Sequence, residues 1–235
     1  MCGRFVSTSS AAEIASLFDA VVTAVDVPAN FNLAPTSNIY AIVRRGAQSY
    51  VENFSWGLVP TWAKDRSRAA SLINARCETV TEKPSFRGLV KSRRCVIPLT
   101  GYYEWKPVAE SAGAGARIIK QPYYFTPVDS PIFAAAGLWT TWREPESAAD
   151  APELHTCVLI TTEANETVAA VHNRMPVLLN EAGVSAWLRP GDADLDLLRS
   201  APNDSLSYVM VDKSVNSTRN HGPQLILPVR GAEQP

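Results

Sequence analysis

Cysteine stands second in this chain, in the pentapeptide Met1-Cys2-Gly3-Arg4-Phe5, and that position gives it a chemistry no internal cysteine has. A small residue after the initiator methionine favours removal of Met1, which leaves Cys2 with an α-amine and a thiol on adjacent carbons. An α-amine titrates near about 7.7–8.0 against about 10.4 for lysine, so roughly a third of it is unprotonated near neutral pH. Such an amine condenses with an aldehyde to an imine, and the neighbouring thiol then closes a five-membered thiazolidine ring. A free cysteine is also commonly a small buried hydrophobe, and the pentapeptide by itself favours that blander use.

Other residues could serve the same chemistry. Glu104 lies in the aromatic run Tyr102-Tyr103-Glu104-Trp105, and an apolar setting raises a carboxyl pKa towards the range useful for proton transfer; alternation along a strand allows equally that it faces solvent. His172 stands beside Arg174 in His172-Asn173-Arg174-Met175-Pro176, placed for proton transfer or phosphate contact, or else as a partner of a helix C-terminus. Asn74-Ala75-Arg76 sets an amide and a guanidinium on one face of an extended segment. Between Lys64 and Arg94 there are nine basic residues against three acidic ones, a local balance of +6, so the remainder carries −7. Such a segment is either a solvated charged face or a phosphate-contacting one. Trp56 and Trp62 precede it; indoles are commonly core, and beside cations they also stack single-stranded bases.

The elements that must position these groups follow from local patterns. Gly3 to Ser7 reads as a strand. Ser10-Ala11-Ala12-Glu13 has the form of a capping box and predicts a helix from about Ala11 to Asp19. The prolines of 28–35 predict an extended loop carrying Asn32. Asn38–Arg44 and Gln48–Trp56 predict a hairpin turning at Gly46, and Cys95–Pro98 and Gly101–Lys106 two further strands. Glu78–Lys91 has broken helical character, limited by Pro84. Pro122–Thr126 and Ile132–Trp139 are expected to pair as strands. Ala109–Ala116 is expected as a hairpin loop and Glu144–Glu153 as an acidic surface loop. His155–Thr162 predicts a strand, Asn165–Val171 a short helix ending at His172, and Asn180–Leu188 and Ala193–Ser200 short helices. Val177–Leu179, Leu206–Val211 and Gln224–Val229 predict strands, and about 230–235 a disordered tail.

Hydrophobic residues make up 46% of the 235, enough for a packed core, and no linker divides the chain. No apolar run approaches the roughly 20 residues of a membrane span, and the start lacks the layout of a signal peptide; a cytoplasmic protein is expected. The cysteines Cys2, Cys77, Cys95 and Cys157 form no C-x-x-C pair and have no histidine at zinc-ligand spacing. Neither a disulfide framework nor a metal site is suggested, and they read as reduced thiols.

Taken in order, these blocks resemble the SRAP family (SOS response-associated peptidase, or abasic-site-processing proteins). The resemblance rests on Cys2-Gly3-Arg4-Phe5, Asn32-Leu33-Ala34-Pro35, Trp56-Gly57 with Pro60 and Trp62, Asn74-Ala75-Arg76 with Glu78-Thr79, Gly101 with Tyr103-Glu104-Trp105, His172 with Arg174 and Pro176, and Asn220 with Gly222. It implies one mixed α+β domain over 1–235, with a distorted, mainly antiparallel β-barrel-like core and short peripheral helices. It implies no cofactor or metal and a monomer that crosslinks ring-opened abasic sites in single-stranded DNA through a thiazolidine at Cys2. By the same resemblance Cys2 is the nucleophile, Asn74 holds the reacting centre, and Glu104 and His172 move protons. Arg4, Arg76 and Arg174 would bind phosphates, Trp62 would stack on or wedge beside the bases, and Asn32, at a family position near Cys2 and grouped with these DNA-binding residues, would help pin the N-terminal segment. Asn173 and Met175 depart from the family pattern, where an aspartate and a second basic residue are expected.

Two other functions use the same residues. A cysteine peptidase or self-processing N-terminal-nucleophile hydrolase would pair Cys2 with His172 and Asn74 or Glu104. A non-catalytic single-strand binder would use Trp62 and the basic segment alone.

Overall fold

The computed structural model describes residues 2–109, 117–148 and 150–229. The expected loops and tail at 110–116 and 230–235 lie outside the described residues. The first half of the chain gives β1 (Phe5–Ser7), α1 (Ala11–Phe18), β2 (Ala20–Val22), β3 (Asn30–Leu33), β4 (Asn38–Arg45), β5 (Gln48–Trp56), β6 (Asn74–Arg76), α2 (Leu89–Ser92), β7 (Arg94–Leu99) and β8 (Gly101–Ala109). The second gives β9 (Ile118–Pro127), β10 (Phe133–Trp142), β11 (Leu154–Glu163), α3 (Glu166–Ala169), β12 (Arg174–Pro176), β13 (Leu178–Leu179), α4 (Glu181–Leu188) and β14 (Leu206–Met210).

The strands form a smaller sheet in the order β14-β9-β8-β1-β3 and a larger one in the order β12-β11-β10-β7-β4-β5-β2, with β6 and β13 attached to β11 and β10. The larger sheet turns back on itself, because β11 also pairs with β5 through Thr156↔Ser55 and Cys157↔Trp56. Strands β11, β10, β7, β4 and β5 thus make a ring of five. An odd ring cannot alternate direction throughout, so one junction must be parallel, and β5–β11 is that junction. This is the expected distorted barrel, closed by a short parallel seam.

Strand alternation sorts the core. Ile39, Ala41 and Val43 of β4 and Cys95, Ile97 and Leu99 of β7 face one apolar cluster, shared with Cys2, Phe5, Leu33 and Tyr102 of the smaller sheet. Tyr40, Ile42 and Val96 face the other way, against Ile14 of α1, Val90 of α2 and Trp187 of α4. Buried indoles are satisfied: Trp56 donates to Ile73 O (3.1 Å) and Trp187 to Cys95 O (3.0 Å). The capping box holds α1 as expected, with Ser10 N donating to Glu13 Oε2 (2.7 Å) and Glu13 N to Ser10 Oγ (3.2 Å).

Several local expectations are corrected. Residues 30–33, expected in a loop, form β3 and pair with β1 through Phe5↔Leu33 and Ser7↔Asn30; the partner is remote in sequence and leaves no local sign. The two strands expected to pair around 122–139 lie in different sheets, β9 against β8 and β14, β10 against β7 and β11. Leu195–Leu197, capped by Asp194, is only a 3-10 turn. Gln224–Val229 is not a strand: Pro223 opens a 3-10 helix over Pro223–Ile226, and a lone bridge joins Val211 to Pro228. Arg94, counted in the basic segment, is buried and spends its guanidinium on the Val90, Lys91 and Trp187 carbonyls (2.6–2.9 Å) and that of Gly191 (3.1 Å). Among the described residues no helix is long and apolar enough to cross a membrane.

Candidate functional site

The N-terminal segment enters the middle of the smaller sheet, hydrogen-bonded on both sides. Phe5 lies opposite Leu33 of β3 and Tyr102 of β8, and Tyr103 N donates to Arg4 O (3.0 Å), carrying the pairing towards the terminus. Phe5 packs edge-on to Trp56 with ring centroids 4.7 Å apart. These contacts fix Cys2, which is fully buried between the sheets. Asn74 arrives from the larger sheet, where β6 runs parallel to β11 with Asn74 opposite Leu159. Its Nδ2 donates to Cys2 O (2.8 Å), and its Oδ1 is buried with no hydrogen-bond partner among the described residues. Burial pushes the Cys2 thiol above its ordinary range, and the neighbouring Glu104 charge adds to that.

Glu104 shares a face of β8 with Tyr102, and it is only 2% exposed. Its solvent-facing alternative is therefore excluded. Burial is the main cause that raises its carboxyl pKa to about 7. His172 follows α3, whose cap is Asn165: Val168 N donates to Asn165 Oδ1 (2.9 Å), and Asn165 Nδ2 ties the turn to Ala201 O (3.0 Å). His172 N donates to Val168 O (2.9 Å), closing the helix on the histidine. Arg174 N donates to His172 Nδ1 (3.0 Å). In the neutral ring Nδ1 either accepts from Arg174 N or donates to Arg174 O, 3.3 Å away, and Nε2 lies 3.9 Å from Glu104 Oε2. Burial, ahead of other causes, lowers the His172 pKa and favours that neutral form.

His172 stands between two open clefts. One, of about 390 Å³, is walled by Arg4, Glu104, Trp105, Lys120 and Asn216. The other, of about 640 Å³, is walled by Arg76, Asn173 and Arg174 among others. Cys2 is on neither wall; Glu104 and His172 stand at the cleft and Cys2 is in the core cluster. Arg4 Nη1 donates to Asn32 Oδ1 (2.7 Å) and Val215 O (3.1 Å). Asn32 is itself buried, and its Nδ2 reaches Val215 O (3.2 Å), Ser217 O (3.0 Å) and Asn220 O (2.6 Å). It holds Arg4 and the loop behind it rather than facing a cleft. Arg174 makes a two-pronged pair with Glu78, one prong at 3.0 Å, and also donates to Thr161 O (2.8 Å). The guanidinium's hydrogen bond holds the Glu78 carboxyl down at about 2.

Sequence reasoning placed Cys2, Asn74, Glu104 and His172, and the fold brings all of them together with Arg4. Arg76 and Arg174 meet them across His172. Trp62 is 68% exposed on the loop between β5 and β6 and walls neither cleft. Met175 is buried, accepting from Asn165 N through its sulfur, so this departure from the family pattern became a core residue. Asn173 remains at the second cleft. The wall formed by Trp105, Lys120 and Asn216 was missed as such. Trp105 Nε1 donates to Asn216 Oδ1 (2.7 Å), and the Lys120 charge acts on both Glu104 and His172. Only the tertiary pairing of β8 with β9 brings Lys120 there.

The chain matches the family described as SOS response associated peptidase (SRAP) over residues 1–218. It is 37% identical over 232 residues to "Abasic site processing protein YoqW" of Bacillus subtilis, covering 96% of this chain and 99% of that protein. It is 25% identical to "Abasic site processing protein YedK" of Escherichia coli, covering 97% of this chain and all of that one. A crystal structure of a protein from Bacteroides thetaiotaomicron has the same fold, with a TM-score of 0.83 at 24% identity over 97% of this chain and 100% of that one. On the extent of these matches the chain belongs to the SRAP family.

Proposed function

We propose that this protein processes abasic sites in single-stranded DNA by capturing the sugar aldehyde in a thiazolidine at Cys2, once Met1 has been removed. The observation that carries the reading is the convergence of Cys2, Asn74, Glu104 and His172 from separate elements, with Glu104 poised at about 7. The names of the relatives supply the substrate class.

An abasic deoxyribose is mostly a closed hemiacetal. Opening it requires a proton taken from the 1-hydroxyl and one given to the ring oxygen, and a group titrating near neutrality does either. Glu104 is such a group, and His172 Nε2 lies 3.9 Å from its Oε2. The Cys2 amine then adds to the aldehyde carbon, and the carbinolamine loses its hydroxyl as water when a proton is supplied. Attack of the sulfur on the resulting imine closes the ring. Asn74 fixes the Cys2 backbone through its Nδ2 and turns an unused acceptor, Oδ1, towards the same buried region. The clefts on either side of His172 suit the two flanking phosphates, Arg4 and Lys120 on one side and Arg76 and Arg174 on the other. The exposed Trp62 suits stacking on an adjacent base.

The peptidase reading fits less well. A cysteine peptidase needs a thiol whose pKa is depressed by a neighbouring base, whereas burial and Glu104 push the Cys2 thiol up. The deciding measurement is intact mass before and after incubation with a single-stranded uracil oligonucleotide treated with uracil-DNA glycosylase. Loss of Met1 and a stable adduct are expected, with no adduct from Cys2→Ala. A mature Cys2 terminus that forms no adduct overturns the reading.

A further inference from the structure

The two arginines on the wall of the second cleft are in different states. Arg76 ends β6, is exposed, and makes no ion pair among the described residues. Arg174 is committed. One of its terminal nitrogens donates to Glu78 Oε1, the other to Glu78 Oε2 (3.0 Å) and to Thr161 O (2.8 Å), and its side chain is only 12% exposed. Both prongs of the guanidinium fork therefore meet a carboxylate. A phosphate is bound by the same two-pronged, planar geometry, so Glu78 holds the position that a strand phosphate would take on Arg174. Glu78 lies on the 3-10 turn Cys77–Thr79, directly after Arg76 and Cys77, and its side chain is 44% exposed, so it can swing away without disturbing the core. A pair this exposed adds little to stability. β12 is held without it, by pairing with β11 through Thr161↔Pro176 and Glu163↔Arg174 and by the bond from Arg174 to Thr161 O. The Glu78 carboxyl is held down at about 2, so near neutral pH the pair opens to a competing anion and not by protonation.

We propose that Glu78 is a specificity-determining residue: its carboxylate stands in for a strand phosphate on Arg174, weakens the hold on undamaged single strands, and leaves retention to strands that react at Cys2. This rests on the crosslinking reading above and deepens it. Neutralising one phosphate of a single strand releases about 0.7 of a counterion, and that release drives binding. Arg76 is free to collect it. Arg174 can only exchange one anion for another, and the displaced Glu78 carboxylate gathers cations of its own, so the net release there is near zero. The loss falls on every strand alike, damaged or intact. A strand bearing a ring-opened abasic site recovers it through the covalent bond, whereas an intact strand dissociates. Discrimination is a difference of affinities, and here it comes from weakening the unwanted complex.

The test measures binding of a single strand without abasic sites across a salt series, by fluorescence anisotropy. Glu78→Gln keeps the size of the side chain and removes its charge. Its slope of log affinity against log salt should steepen by about 0.7, which is about fivefold tighter binding at 0.1 M salt. Deleting any carboxylate near a strand raises affinity somewhat, so the double variant Glu78→Gln/Arg174→Ala separates the two causes: its slope should return to that of wild type. In crosslinking of an abasic strand, a large excess of undamaged strand should slow Glu78→Gln several-fold more than wild type. A Glu78→Gln slope within about 0.2 of wild type, a gain retained in the double variant, or equal slowing of both proteins by the undamaged strand overturns the proposal. A wild-type protein that forms no adduct with the abasic strand overturns the crosslinking reading instead, and the two slopes still decide whether Glu78 masks Arg174.

Discussion

At the residue scale the site turns on one carboxyl. Glu104 is raised from 4.5 to about 7 chiefly by burial, so near neutral pH both protonation states are present and one group can serve the acid and base steps. Glu104→Gln should slow crosslinking by roughly 10²-fold or more and remove the inflection near pH 7 from the rate profile; gel-resolved adduct formation across pH 5–9 measures both. The same residue has a stability consequence of known sign. Its folded pKa lies above its unfolded value, so the folded state binds the proton more tightly. The contribution is complete below about pH 4.5 and is lost as pH rises through 7. Glu104→Gln cannot ionise and should match wild type near pH 4 but exceed it at pH 8 by about 2–3 kcal/mol in denaturant unfolding. Lower activity with higher stability is the signature of a group kept for chemistry.

At the element scale the site depends on a strand that local pattern assigned to a loop. β3 presents Asn32, whose amide joins Arg4 to the Val215, Ser217 and Asn220 carbonyls. Those bonds fix the segment that carries Asn216 against Trp105. Asn32→Ala would leave buried polar groups without partners at about 1–3 kcal/mol each. We expect a loss of about 2–4 kcal/mol in unfolding free energy, and faster amide exchange over 213–226 than over the ring strands. Equal exchange in both regions would show that the loop is held by something else. The seam between β5 and β11 sets the other side: it lets Trp56 meet Phe5 and keeps β6, hence Asn74, beside the N-terminus.

At the scale of the molecule, net charge is −1, with nine of the 22 lysines and arginines in the 31 residues from Lys64 to Arg94. The fold withdraws two cations from that face, since Arg94 of the segment is internal and Arg174, outside it, is already paired with Glu78. Non-covalent affinity for a single strand should thus be modest and strongly weakened by salt. On a single strand that carries no abasic site, and so cannot react, Arg76→Ala should reduce the slope of log affinity against log salt by about 0.7, measured by fluorescence anisotropy. An adduct already formed by the wild type should survive 1 M KCl, because its retention no longer depends on those contacts.

What the sequence determined by itself is what acts over short range. Covalent adjacency gave Cys2 its paired amine and thiol, the S-x-x-E spacing gave α1 its cap, and alternation gave the β4–β5 hairpin. The motif residues could be named because their order along the chain resembles the SRAP family. Only the tertiary structure decided that residues 30–33 pair with β1, that β9 and β10 part company, that Arg94 turns inward and that Lys120 reaches the cleft. The same is true of the Glu104 pKa and of the pairing of Arg174 with Glu78. Desolvation and strand pairing are produced by groups distant along the chain and close in space, so a window of neighbouring residues holds no record of them.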